Sequence, residues 1–102
     1  MFPKKHRFSF KNLLPKQNLN SNAFSVRYSK NSEGLRVAVV VSKRVDKKAT
    51  VRNKIKREIL NLVTKYVKKN EPIDLIFYVK RIINSEQLDK EIEKAIEVIK
   101  HV

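Results

Sequence analysis

The chain has 102 residues, 41% of them hydrophobic, and a formal net charge of +14 from 24 Lys and Arg against 10 Asp and Glu. Such a chain has room for one domain with one core, and its charge calls for a polyanionic partner, nucleic acid before membrane. There is no cysteine, which excludes disulfides and thiolate metal sites; no apolar run nears the ~20 residues that span a bilayer, and no signal-peptide core follows the basic start, so a cytoplasmic protein is expected.

Residues 1–22 read as an irregular or short-helical arm, with Pro3, Pro15 and Asn/Ser-rich spacing near its end. Ser9 to Leu14 can make a turn or two of helix with Phe10, Leu13 and Leu14 on one side, until Pro15 stops it. Phe8 and Phe10 read as an anchor onto the sheet. From Ala23 to Lys30 the pattern alternates, with Phe24, Val26 and Tyr28 on one face and Ser25, Arg27 and Ser29 on the other, which predicts a half-buried strand. Asn31 to Gly34 supplies turn chemistry, and Gly34 is the only glycine. Leu35 to Ser42 is nearly all apolar and β-branched, which predicts an interior strand paired with the preceding one as a hairpin.

A helix is predicted over Ala49 to Lys69, because Val51, Ile55, Ile59, Leu62, Val63 and Tyr66 follow the 3.6-residue period. Asn70-Glu71-Pro72 stops it. Ile73 to Val79 reads as another strand, with Asp74 its only charge, and as a parallel neighbour of the strand before the helix. Asn84 and Gln87 have capping-box spacing for a last helix that buries Leu88, Ile92, Ala95, Ile96 and Ile99. The order is β-β-α-β-α. Residues 85–102 hold five acids and three cations, which leaves 21 cations and five acids to residues 1–84. One face is therefore expected to meet the polyanion, and the last helix to lie away from it.

The charge is densest between Lys43 and Arg57, where Lys43, Arg44, Lys47, Lys48, Arg52, Lys54, Lys56 and Arg57 face a single acid, Asp46. Like charges at this density repel unless something negative lies against them. A solvated face is the plain alternative. Against it, Arg52 sits at the edge of the apolar stripe, Asn53 is a poor helix former that can hydrogen-bond a base edge or a ribose, and only Glu58 follows the cluster. Phosphate contact, aided by the amides of the helix start, explains the stretch better. Catalytic machinery is not visible: His6 and His101 sit at opposite chain ends without a partner carboxylate, and there is no glycine-rich phosphate loop.

The run Ala49-x-x-Arg52-Asn53-Lys54-Ile55-Lys56-Arg57, preceded by Val41-Ser42-Lys43-Arg44, resembles the signature of the bacterial ribonuclease P protein component. Phe24 to Tyr28, Leu35 to Ala38, Asp74 to Phe77, Lys80-Arg81 and the closing amphipathic helix fall in that family's order, so the likeness runs from Ala23 to the C-terminus. Lys54 stands where the family often has Arg, which keeps the charge but loses a bidentate fork. The family's first helix, with aromatics one turn apart, is reduced here to the segment around Phe8 and Phe10.

The resemblance implies a single RNA-binding domain over residues 1–102 with an α+β fold. That fold is a two-layer sandwich with a central sheet of about four strands, one more than the pattern shows. It also implies a left-handed β-α-β crossover where the common hand is right, as in the second domain of a ribosomal protein. The implied function is that of the protein subunit of a ribonucleoprotein that removes the 5′ leader of precursor tRNA. The RNA subunit would carry the hydrolysis and bind Mg2+, with no metal bound by the protein alone. Ribonuclease P RNA and precursor tRNA would be the partners, without a membrane or an obligate protein partner. Carried over by position, Lys43, Arg44, Lys48, Arg52, Asn53, Lys54, Lys56 and Arg57 would contact the catalytic RNA, largely through phosphates. Tyr28, helped by Phe10 and Arg27, would offer a stacking surface for the single-stranded leader; the plain reading of Tyr28 is a core or edge aromatic. Two other classes fit the charge alone: a structural RNA-binding protein of ribosomal type, and a DNA-binding module, although the helix lacks the partner helix of a helix-turn-helix.

Overall fold

The computed structural model describes residues 16–68 and 70–100. In chain order it contains β1 (Gln17–Asn20), β2 (Phe24–Lys30), β3 (Arg36–Val40), α1 (Ala49–Tyr66), β4 (Ile73–Val79) and α2 (Ser85–Lys100). The strands form one four-stranded sheet in the order β1-β2-β4-β3, with β4 antiparallel to β2 and parallel to β3. Phe24, Val26 and Tyr28 of β2, Val37 of β3 and Leu75 and Phe77 of β4 join Ile59 and Val63 of α1 and the buried side of α2 in one cluster. Both helices therefore cover the same face, giving the α+β two-layer sandwich implied by the resemblance. Phe24 and Phe77 meet edge to face at its centre, ring centroids 5.3 Å apart.

The expected hairpin does not form. β4 lies between β2 and β3 as a central strand, with Leu75, Ile76 and Phe77 all buried. β3 is an edge strand, with Val39 and Val40 only half-buried, and not the interior strand its apolar run suggests. The chain from β2 to β3 instead steps over the start of β4, and Asp74 is the reason it holds. The Asp74 carboxylate is gripped from one side by Arg36, whose Nε donates to Oδ1 at 2.7 Å and Nη2 to Oδ2 at 3.0 Å. On the other side Asn31 Nδ2 donates to Oδ1 at 2.7 Å. Asn31 Oδ1 accepts from the amides of Glu33 and Gly34, and Gly34 takes the left-handed φ of 111° that its lack of a Cβ permits.

Two boundaries also move. The region read as an arm contributes β1, whose Gln17 to Asn20 pair antiparallel with Tyr28 to Ser25 and supply the fourth strand. Its polar sequence hides it, since an exposed edge strand needs no apolar alternation. Helix α1 ends at Tyr66, short of the expected Lys69: Val67 turns to extended backbone (φ −127°, ψ 128°) and buries its side chain in the core. At the start of α2, Asn84 Oδ1 accepts from the Gln87 amide at 2.8 Å, the cap predicted by the spacing. The Ser9–Leu14 turn, Phe8, Phe10, His6 and His101 lie outside the described residues.

Candidate nucleic-acid interface

The loop from β3 to α1 is built by its own backbone. The Val45 amide donates to the Ser42 carbonyl at 3.1 Å, and Asp46 Oδ1 accepts from the Lys48 amide at 2.8 Å. Arg52, one turn into α1, reaches back: its Nη1 donates to the carbonyls of Asp46 at 3.0 Å and Lys47 at 2.9 Å. Its guanidinium thus clamps loop to helix while keeping its charge. Asp46, the one acid of the stretch, is engaged with an amide and makes no ion pair with a neighbouring cation among the described residues.

The sequence-predicted residues separate into groups on this frame. Lys43, Arg44 and Lys48 are exposed on the loop and at the helix cap, and Asn53, Lys54 and Arg57 are exposed on α1; Arg52 and Lys56 are half-buried. At 3.6 residues per turn, Arg52, Asn53, Lys56 and Arg57 occupy one flank of the helix, spanning roughly 140° beside the buried stripe. Lys54 stands apart from them, on the side of Glu58 and Val51, where it lines a cavity. The ion pairs among the described residues are Arg36 with Glu33, Arg36 with Asp74, and Lys65 with Asp89, so none of the eight cations is neutralised there. Lys48 occupies the N-cap without a side-chain hydrogen bond, and the first turn of α1 carries no acid. The amide end of the helix dipole is therefore left open beside Lys43, Arg44 and Lys48.

Arg27 and Tyr28 are brought to opposite faces. Tyr28, 9% exposed, points into the core with Phe24 and Val26, whereas Arg27 lies on the face that neither helix covers. Adjacent strand residues cannot share one surface, so the pair does not form the single stacking platform expected of it. The aromatic that does share the face of Arg27 is Tyr78, half-buried and in register with Ser25 and Val40. The alternation Asp74, Ile76, Tyr78 held that signal.

Among the described residues, no three of His, Asp and Glu stand close enough to hold a metal ion, and no helix is long and apolar enough to cross a membrane. The last helix is tied to the rest by its acids. Tyr66 Oη donates to Asp89 Oδ1, Lys65 Nζ donates to Asp89 Oδ2 at 2.9 Å, and Ser21 Oγ donates to Glu91 Oε1. The Tyr66 hydrogen bond, followed by that of Lys65, holds the Asp89 carboxyl below the usual carboxylate range.

A mixed four-stranded sheet with two helices on one face and a cationic loop and helix start without internal ion pairs among the described residues defines a small, basic α+β protein. A family model for ribonuclease P matches residues 3–100, and the chain belongs to that family. The fold agrees: a Staphylococcus aureus RNase P protein superposes with a TM-score of 0.71 at 24% identity, covering 82% of this chain and 81% of that one. The RNase P protein from Thermotoga maritima gives 0.66 at 20% identity, over 84% of this chain and 83% of that one. No curated protein matches the chain. As a family member it is a protein subunit of an endoribonuclease complex of tRNA processing, and works with the RNA of that complex.

Proposed function

We propose that the chain docks on the folded catalytic RNA of ribonuclease P and assists removal of the 5′ leader from precursor tRNA. The observation that carries this is the loop and first turns of α1, where eight cations lie without an internal ion pair among the described residues. A folded chain retains such a cluster at a cost in self-repulsion, which phosphates reverse. Lys43, Arg44, Lys48, Lys56 and Arg57 supply charge to the RNA backbone. Asn53 offers a donor and an acceptor to a base edge or ribose, and Arg52 contributes charge while holding the loop in shape. Lys54 meets the RNA from the other side of the helix.

Hydrolysis is assigned to the RNA subunit with Mg2+ ions that it chiefly holds. The protein lowers the charge barrier to bringing substrate and metal together. The cytoplasm is the compartment that goes with this role. For the single-stranded leader, the face of the sheet that neither α1 nor α2 covers is the surface of choice, with Arg27 for phosphates and Tyr78 for stacking. Tyr28, committed to the core, supports that strand from beneath.

The test is reconstitution. The protein is mixed with a bacterial ribonuclease P RNA and precursor tRNA at low Mg2+. Cleavage at the 5′ end should rise well above that of the RNA alone, and no gain would defeat the reading.

A further inference from the structure

A cavity of about 430 Å3 opens between the start of α1, the end of β4 and the loop into α2. Its size falls within the range of small-ligand sites, about 300–1,000 Å3. Phe24 and Ile59, both fully buried, form its base, and Val51, Ile55 and Ile82 line it higher up. Ile82 is unusual: it is 50% exposed, and Ile82 and Val98 are the exposed large hydrophobics among the described residues. It is not carried on a slack loop. The amides of Lys80 and Arg81 both donate to the Ala23 carbonyl, at 2.7 and 3.3 Å, and Asn84 caps α2 two residues later. An isoleucine is thus held half in water by anchored backbone on both sides.

The charges around this cavity say what fits it. Lys54 and Arg81 line it and are exposed, so an occupant with an apolar, flat body and an attached anion is matched. Lys54 stands on the Val51 and Glu58 side of α1, away from the flank of Asn53 and Lys56, so the cavity offers the basic helix a second contact on its other side. Sequence-selective recognition of RNA targets unpaired bases splayed from the stack, which bind between apolar side chains while cations take the neighbouring phosphates. Glu58 on the same wall would otherwise repel an anion; it offers an acceptor to an exocyclic base amine.

We propose that this cavity takes one unpaired base of the partner RNA, with Val51, Ile55 and Ile82 against the base and Lys54 and Arg81 on the flanking phosphates. The proposal rests on the RNA-docking reading above and extends it from charge to a base contact. It is tested on the full chain with isotope-labelled methyl groups, titrated with a bacterial ribonuclease P RNA. Ring currents from an inserted base should move the methyl signals of Val51, Ile55 and Ile82 upfield. Ile82→Ala, at a half-exposed position that leaves the core intact, should weaken RNA binding about tenfold without changing the salt slope, because the lost contact is apolar. Lys54→Ala should instead lower that slope by about one phosphate. RNA binding that leaves the three methyl signals in place, or that Ile82→Ala does not affect, overturns the base pocket and spares the docking reading. Methyl shifts that follow protein concentration without RNA would place a second copy in the cavity and overturn it too. Absence of RNA binding would defeat both readings together.

Discussion

The two helices of this protein handle charge in opposite ways. In α2, Asn84 caps the first turn, Glu86 sits favourably in it, and Asp89 and Glu91 are spent on Tyr66, Lys65, Ser21 and the Ala23 amide. Its charges help to close the fold. In α1 the N-cap is Lys48 without a side-chain bond of its own, the first turn carries no acid, and the cations of the stretch form no ion pair among the described residues. By the rules that stabilise helices, α1 begins badly. The difference is between a helix whose charges are used inside the fold and one whose first-turn cations have no ion pair among the described residues.

Experiments can break that contrast, the largest effect first. Asp74→Ala removes a buried carboxylate that accepts from Arg36 and Asn31 and should cost about 2–3 kcal/mol in denaturant unfolding. An inward charge should behave this way, and an outward one should not. Arg57→Ala should therefore weaken binding to ribonuclease P RNA by about 1–3 kcal/mol with the unfolding midpoint unchanged. Arg52→Ala should do both, losing affinity and also about 1 kcal/mol of stability, because two loop carbonyls lose their donor. If Arg57→Ala unfolds the protein instead, its side chain has an internal partner and the contrast fails.

Lys48→Asp tests the contrast at one residue. A carboxylate at the N-cap should stabilise α1 by about 1 kcal/mol while reducing RNA affinity, so stability and binding move in opposite directions. Parallel movement would mean that the helix start is ordinary. The smallest effect concerns acid. Asp89 has its folded pKa depressed, so its stabilising contribution is present above the unfolded value and lost as pH falls through the folded one. Below about pH 4 the wild type should lose stability more steeply than Asp89→Asn, as read from unfolding midpoints across that range. Equal slopes would show that the Tyr66–Asp89–Lys65 clamp contributes nothing.

Local order was plain in the residues themselves. The 3.6 period of Val51, Ile55, Ile59 and Val63, the Asn84 cap, the positive φ of Gly34 and the alternation of β2 all appear where the sequence puts them. So does the cationic stretch, because charge density is a property of composition. These features depend on neighbours within a turn or two, and the chain carries that information in short windows.

Pairing was another matter. Nothing near β2 or β3 says that a strand more than thirty residues further on will come between them; only the pairing of the folded sheet shows it. The same holds for β1, which is polar and exists because β2 has a free edge. Asp74 read as a lone charge in an apolar strand until Asn31 and Arg36 closed on it. Tyr28 and Arg27 could be separated by strand parity, but which face the helices would cover was set by packing. The sequence by itself determined β2, β3, β4 and the two helices, the charge and the family likeness. The tertiary structure decided which strands meet, which aromatic faces away from the helices, and that an anchored Ile82 stands beside the basic helix, because each of these depends on contacts between residues far apart in the chain.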